Sequence, residues 1–250
     1  MNWRITPLPL YHFVTPGPEA LFQRRFGEMI TLAIHAFLLE GPSTILVDTG
    51  LPDKYDALTV AMRGRKGPDA GFRLINACLS DQLVARGTQL DAILLTSFGA
   101  YATGGLPNLG DIPVLGSARG IADLRNAEEP GFSHPLADAV RDRILAAVPI
   151  TDEQEILPGL TMVETGSHHP ASATVIIETA DGVIAIADPI FCSENLTAGA
   201  ALGAAEDARA WYEEARRLAQ RVDAVIPIHD VHPAPVPCAA WHDMLKSPTR

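Results

Sequence analysis

Residues 90–106 read LDAILLTSFGAYATGGL, and this stretch governs how the rest of the chain is interpreted. Residues 92–95 form a short apolar run, which is typical of a buried strand. A polar turn follows that run and ends in Gly104 and Gly105. Because α/β folds place their catalytic and binding groups where strands meet loops, the stretch predicts a buried strand that leads directly into a functional loop.

The length and composition indicate one large domain. The chain has 250 residues, of which 47% are hydrophobic, so it can bury a full core. No stretch reads as a linker between independent domains. We therefore expect a single domain over residues 1–250, built from two similar halves at about 1–125 and 126–250.

The charge and the cysteines exclude several classes of protein. A formal net charge of -11 argues against a nucleic-acid partner, because binding to phosphates draws on clustered Lys and Arg. The one basic cluster, residues 63–66, is expected to be a solvated loop. The three cysteines are scattered and have no Cys-x-x-Cys spacing, which predicts neither a disulfide framework nor a thiolate zinc site. With no signal-peptide pattern and no long apolar segment, we expect a cytoplasmic protein without a membrane partner.

The periodicity of the apolar residues alternates between strands and helices in both halves. An edge strand limited by Pro7 and Pro9 is predicted at 3–14, because proline cannot complete a ladder. Further strands are predicted at 29–39, 44–50, 161–164, 173–178, 183–187 and 224–228, and helices at 74–86, 121–127, 135–147 and 206–221. Hairpins outnumber βαβ units, so an α/β (α+β) fold with two sheets face to face and helices outside, a four-layer αββα sandwich, is favoured over a doubly wound parallel sheet.

Polar residues that follow strands are the candidates for chemistry. His168, Asp188 and His229 stand at the ends of three different strands, and two histidines with one carboxylate can form a facial triad for one divalent ion. Each of them alone is equally consistent with an ordinary loop residue. His35 lies inside an apolar strand, where a hydrogen-bonded core histidine is the favoured interpretation.

Four segments in the right order resemble the motifs of the metallo-β-lactamase superfamily. The segment FLLEGPSTILVDTG at 37–50 resembles its first motif, and ETGSH at 164–168 with Pro170 and Ser172 is similar to its histidine loop. IAD at 186–188 resembles the strand that ends in the metal-bridging aspartate, and VIPIHD at 225–230 resembles the final histidine. The segment ILPGL at 156–160 and the length are most similar to the branch that opens N-acyl homoserine lactones. The resemblance implies the αββα fold.

In that family the resemblance implies two zinc or iron ions bridged by the carboxylate. The stretch at 96–105 aligns with the ligand motif Thr-His-x-His-x-Asp-His-x-Gly-Gly, but none of its ligands is retained. The four ligand positions are occupied by Ser97, Gly99, Tyr101 and Ala102. His168 would remain from one metal site, His229 from the other and Asp188 from the bridge. We therefore expect no cofactor, with a single weakly bound divalent ion as the alternative.

The resulting hypothesis is a divergent, lactonase-like hydrolase that opens a ring or cleaves an ester or amide of a small organic molecule without metal. His168 or His229 would act as general base and Asp188 would orient it. Ser97 or Tyr101 would donate a proton, or Ser97 would attack. The alternatives are a non-catalytic binding protein on the same fold and a weak hydrolase with one metal ion.

The phenylalanines of the predicted loops are candidates for contacts with a substrate or with a second copy of the chain. They could line a pocket for a hydrophobic small-molecule substrate or form the contact of a homodimer. These residues are Phe13, Phe22, Phe26, Phe72 and Phe132.

Overall fold

A computed structural model of the protein describes residues 2–126 and 136–241. The thirteen strands of these residues form two large sheets that follow one another along the chain. The first sheet contains β1 (Arg4–Pro16), β2 (Met29–Glu40), β3 (Thr44–Val47), β4 (Gly71–Leu74), β5 (Ala92–Leu94), β6 (Val114–Ser117) and β7 (Val148–Ile150), in the spatial order β4-β1-β2-β3-β5-β6-β7. The second contains β8 (Glu153–Leu157), β9 (Leu160–Glu164), β10 (Ala173–Thr179), β11 (Gly182–Ala187), β12 (Ala224–Pro227) and β13 (Val236–Pro237), in the order β13-β12-β11-β10-β9-β8.

Helices flank these sheets and complete the predicted four-layer αββα arrangement. They are α1 (Gly17–Ala20), α2 (Asp56–Lys66), α3 (Leu79–Ala85), α4 (Ala100–Thr103), α5 (Ala118–Asn126), α6 (Asp138–Leu145), α7 (Ser193–Thr197) and α8 (Ala208–Arg221). The longest, α8, buries Trp211, Ala215 and Leu218, which share one face at helical spacing. The Trp211 indole donates a hydrogen bond of 2.7 Å to the carbonyl of Pro189, just after β11. The prediction of an α/β fold with two face-to-face sheets is confirmed.

Each sheet combines hairpins with parallel pairs, and the parallel pairs set the position of the polar strand ends. β3 pairs in parallel with β5, and β11 pairs in parallel with β12. Parallel neighbours end at the same edge of a sheet, so the residues that follow them are brought together. Asp48 therefore lies beside Thr96, and Asp188 comes to the same edge as His229.

Three local predictions are corrected by tertiary pairing. β1 is an edge strand over only part of its length, because β4 covers Tyr11–Val14 and leaves Pro7 and Pro9 with β2 as their one neighbour. The helix predicted at 74–86 begins only at Leu79, since Leu74 pairs with β1 in β4. The basic residues at 63–66 are the last turn of α2 rather than a loop, where cations interact favourably with the helix dipole.

The remaining helices agree with prediction to within a few residues. Residue 127 of the predicted helix at 121–127 and residue 135 of the one at 135–147 lie outside the described residues. The change from the first sheet to the second falls between Ile150 and Glu153. The division into one domain with two similar halves stays a prediction.

Candidate active site

The loops of both sheets enclose a cavity of about 110 Å³. Its wall combines aromatic and aliphatic side chains with a small number of polar groups, which is the usual character of a small-molecule site. The polar and aromatic members that matter below are Phe13, Thr15, Glu19, His35, Asp48, Lys66, Ser97, Tyr101, His168, His169, Asp188, Phe191 and His229. All five of the predicted site residues, His168, Asp188, His229, Ser97 and Tyr101, therefore line one cavity, but they do not form one cluster.

The loop at 165–172 carries two of the histidines and is held at both ends. Glu164, at the end of β9, accepts hydrogen bonds from the Ser117 hydroxyl at 2.5 Å and from the backbone and guanidinium of Arg119 at 2.6 and 2.8 Å. These bonds and the positive charge of Arg119 outweigh burial and lower the pKa of Glu164. A Cβ on Gly120 would lie 2.3 Å from that of Ala171, so the close approach of α5 to the loop requires glycine. These contacts hold both ends of the loop at 165–172 in place.

His168 and His169 of this loop converge with Asp188, which follows β11. The Nδ1 atom of His168 lies 2.9 Å from Oδ2 of Asp188, and Nε2 of His169 lies 3.8 Å from the same oxygen. All three residues are buried, and one ligand atom from each lies within 4.8 Å of the others. The Ser172 hydroxyl donates to Oδ2 of Asp188 at 2.7 Å. Burial by itself would raise the pKa of Asp188, but the histidines and this hydrogen bond lower it, so the group is a carboxylate.

His169 is the site residue that the sequence analysis missed. Its Nδ1 accepts a hydrogen bond of 3.2 Å from the backbone N–H of Ala171, and burial lowers its pKa to about 4. The neutral ring therefore carries its proton on Nε2 and donates it to the Ser97 hydroxyl at 2.8 Å. Ser97 also accepts from the backbone N–H of Gly99 at 3.1 Å. Ser97 thus accepts from His169 in this arrangement, and a catalytic role for it stays a prediction.

His229 stands apart from the three converging residues. Its Nδ1 lies 2.8 Å from the carbonyl of Ala33, and burial lowers its pKa to about 4. A carbonyl can only accept, so Nδ1 holds the proton of this neutral ring. Among the residues that the structure describes, His229 belongs to no group of three or more ligand atoms. It borders the cavity without joining the His168 cluster.

Tyr101 contributes an apolar wall. Its ring centroid lies 5.2 Å from that of Phe13, 5.4 Å from Phe72 and 5.8 Å from His229. Burial raises the pKa of the Tyr101 hydroxyl well above its usual range, which makes it a poor proton donor. Its catalytic role stays a prediction.

The phenylalanines named from the sequence divide between those that pack on Tyr101 and those at the surface. Phe13 and Phe72 contact Tyr101, whereas Phe22 and Phe26 are 42% and 73% exposed. Phe132 lies outside the described residues. The homodimer contact stays a prediction.

Asp48 supports the turn that precedes α4. Its carboxyl accepts from the backbone N–H of Thr96 at 2.8 Å and lies 2.6 Å from the Thr96 hydroxyl. Burial raises the pKa of Asp48 to about 8, against the effect of these hydrogen bonds. A Cβ on Gly105 would lie 2.4 Å from the carbonyl oxygen of Thr49, so the turn can close against the residue after Asp48 only with glycine there.

A further polar group borders the cavity. Lys66, at the end of α2, forms an ion pair with Glu19. The Thr15 hydroxyl donates to the same carboxylate at 2.7 Å. The sequence analysis missed this group because it assigned residues 63–66 to a loop. The missed His169 had one available signal: it is adjacent to His168 in an irregular loop, where neighbours can face the same side.

Comparison with solved structures gives the fold. An N-acyl homoserine lactone hydrolase, with N-hexanoyl-L-homoserine bound at its catalytic metal centre, superimposes with a TM-score of 0.76 at 18% identity over 92% of this chain and 95% of the other. The chain has the metallo-β-lactamase fold. AbOPH, a hydrolase of the β-lactamase superfamily, gives 0.62 at 18% identity over 94% and 90%, and the dizinc quorum-quenching lactonase AidC gives 0.65 at 14% identity over 93% and 89%. No family model and no curated protein sequence matches the chain.

The prediction that this metallo-β-lactamase fold holds no cofactor is wrong. Two of the similar structures are described as having a catalytic metal centre or two zinc ions. In this chain, His168, His169 and Asp188 bring together ligand atoms of the kind that hold a divalent ion. The prediction counted only residues aligned with known ligands and therefore omitted His169. In the described part of the chain no helix is both long and apolar enough to cross a membrane.

Proposed function

We propose that the protein is a hydrolase that opens a lactone or cleaves an ester of a small, largely apolar molecule, with one divalent ion held by His168, His169 and Asp188. The observation that carries this proposal is the convergence of two imidazoles and one carboxylate at the wall of an apolar cavity. The similarity to lactone-hydrolysing structures supports the substrate class.

The donor set of the described residues fits one ion and not two. Two imidazoles and a carboxylate are a ligand set for a single divalent transition metal. The Ser172 hydroxyl donates to Asp188 and orients this ligand, as supporting contacts do in metal sites. A second ion would need ligands from the turn at 96–105, which offers Ser97, Gly99, Tyr101 and Ala102 instead.

An ion bound there would polarise a substrate carbonyl and lower the pKa of a bound water. The chain's own residues supply the setting. The Ser172 hydroxyl and His168 hold the Asp188 carboxylate in one orientation. The rings of Phe13, Tyr101 and Phe191 exclude water, which strengthens the electrostatic interactions within the cavity.

Metal analysis of untagged protein, together with turnover of lactones and aryl esters before and after a chelator, tests the proposal. We expect about one equivalent of metal per chain and turnover that the chelator abolishes and added metal restores. The matched variant His169→Gln should lose the metal and the activity together. Full turnover by metal-free protein would overturn the proposal.

A non-catalytic binding protein is the second candidate. The replacement of all four ligand positions of the turn, with the ring of Tyr101 packed beside His229, favours it. The absence of turnover across a broad panel of lactones and esters with metal bound would support this candidate over the hydrolase.

A further inference from the structure

The cavity has a second polar wall, formed by His35 and His229, that the proposed metal site does not use. His35 is on β2 and His229 follows β12, and both border the cavity. Backbone hydrogen bonds fasten the two segments to each other, since the N–H of Ala33 donates to the carbonyl of His229 at 2.8 Å. The two histidines are therefore held in place by the join between the two sheets.

The tautomers of both rings follow from their partners. The Nε2 atom of His35 lies 2.7 Å from the carbonyl of Asp230, so it carries the proton and donates it. The Nδ1 of His229 donates in the same way to the carbonyl of Ala33. Burial lowers the pKa of both rings, which keeps them neutral. Each ring then has one unprotonated nitrogen, Nδ1 in His35 and Nε2 in His229.

The acceptor of His35 is buried without a hydrogen bond from any residue that the structure describes. The residue is only 2% exposed, and leaving a buried acceptor unsatisfied costs free energy that a ligand donor can recover. Phe37 and Phe13 flank the two rings, with centroids 6.0 Å from His35 and 5.4 Å from His229, and neither can donate a hydrogen bond. Because His35 borders the cavity, a ligand that occupies the cavity can supply the donor.

We propose that His35 and His229 form an acceptor wall that selects ligands carrying an N–H or O–H donor next to the group bound at the His168 cluster. The inference rests on the proposed function only in taking this cavity as the substrate site. It assigns His229 a role in substrate specificity rather than in metal binding.

The test compares two probes of nearly the same shape, δ-valerolactam and N-methyl-δ-valerolactam, which differ in one N–H donor. Binding is measured by NMR titration on metal-loaded protein, so that the result does not depend on turnover. We expect the N–H probe to bind about 10-fold more tightly than the N-methyl probe, because only the N–H probe can donate a hydrogen bond to the acceptor wall, where the Nδ1 of His35 is buried without a donor.

Two variants remove the acceptor nitrogens of the imidazoles, move the acceptor to an amide oxygen at a different position, and keep the structural hydrogen bonds. Gln places its amide where His has Nε2, so His35→Gln still donates to Asp230, and Asn places its amide where His has Nδ1, so His229→Asn still donates to Ala33. Each variant should reduce the preference for the N–H probe, and the double variant should abolish it. His12→Gln, at a histidine of β1 outside the cavity wall, should leave the preference unchanged.

Equal binding of the two probes by the unaltered protein would overturn the inference. A second bound metal ion that is lost in His229→Asn would also overturn it, because the Nε2 atom would then be a ligand. If the preference holds but no ester or lactone is turned over, the proposed function fails and the acceptor wall stands. If turnover is found without the preference for the N–H probe, the acceptor wall is overturned and the proposed function stands.

Discussion

The turn at 96–105 and the loop at 165–172 both follow central strands and both enter the cavity, yet only the loop carries histidines. In the turn, the ligand positions expected from the family resemblance hold residues that contribute packing and hydrogen bonds. In the loop, two adjacent histidines converge on Asp188, and Nε2 of His169 reaches to 2.8 Å from the hydroxyl of Ser97. His169, which belongs to a loop of the second sheet, thus places an imidazole beside Ser97. Ser97 occupies a position of the first sheet's turn where the family resemblance implies a histidine. The chemistry of this site therefore depends on which atoms lie close together, and not on which segment supplies them.

The largest effect is expected from the carboxylate that the loop depends on. Asp188→Asn keeps the shape of the side chain but removes the charge, so turnover and metal content should fall by more than about 100-fold, since even the outer partners of ligands contribute 10- to 100-fold. Metal analysis and ester turnover measure both. Asp181→Asn, at an exposed carboxylate, serves as control. Unchanged metal content in Asp188→Asn would break the assignment of the metal site to the loop.

A paired substitution compares the loop with the turn directly. His169→Ala should lower metal affinity and turnover by about 10- to 100-fold, whereas Ser97→Ala should lower turnover by less than about 10-fold. Ser97→Ala should still reduce the free energy of unfolding by about 1 kcal/mol, because the hydrogen bonds of the Ser97 hydroxyl with His169 and with the N–H of Gly99 are lost. Denaturant unfolding and metal titration separate the two effects. An equal loss of metal in both variants would show that the turn still contributes a ligand.

The pH dependence of stability distinguishes the histidine wall from the carboxyl behind the turn. The pKa of His229 is about 4 in the folded state against an ordinary 6.5, so between these values the unfolded chain binds a proton that the folded chain does not, and stability falls as pH falls. Burial lowers the pKa of His35 in the same direction. The pKa of Asp48 is raised from 3.8 to about 8, so the folded chain holds a proton that the unfolded chain has released, and stability falls as pH rises through this range.

Between about pH 4 and 6.5, His169 and His229 each take up a proton only on unfolding, and together they outweigh the one proton that Asp48 holds in the folded chain. Above pH 6.5 only Asp48 of these three groups still acts, so the thermal midpoint of chelated protein should be highest near pH 6.5. A change of 1 kcal/mol corresponds to about 2–4 °C for a chain of this size. Asp48→Asn should flatten the alkaline side, since an amide replaces the neutral acid and Asn tolerates the positive φ of 58° at this position. Scanning calorimetry across this pH range provides the measurement. A persistent alkaline decrease in the variant would assign it to another group.

The smallest effect is expected from the hydroxyl of Tyr101. Its ring packs against Phe13, Phe72 and His229, and Tyr101→Phe retains every one of these contacts. Turnover should change by less than about threefold, which steady-state kinetics on an aryl ester can measure. Tyr101→Ala provides the contrast, because it opens a cavity and should cost about 3–5 kcal/mol of stability, in the range of other large aromatic truncations. A large loss of turnover in Tyr101→Phe would restore the turn to a catalytic role.

Much of the fold follows from local sequence patterns. The apolar runs of β2, β10 and β11 are long enough to be recognised as buried strands. The Asp181-Gly182 turn predicts that β10 and β11 form a hairpin, as they do. The strand β4 escaped recognition because Gly71–Leu74 is half-exposed and is a strand only through its pairing with Tyr11–Val14 of β1. Pairing between segments so distant along the chain leaves no local periodicity.

The site was predictable in location and less so in composition. The order of the strand ends and their polar residues determined that His168, Asp188 and His229 would border one cleft, because strand ends of a sheet share an edge. The sequence also predicts that the turn at 96–105 lacks the ligands of the family motif, because Ser97, Gly99, Tyr101 and Ala102 occupy their positions. Only the tertiary structure decided that His169, and not His229, joins His168 and Asp188. The reason is that ligand groups are selected by distances of a few ångströms, which depend on the path of an irregular loop and on contacts such as those of Arg119 with Glu164.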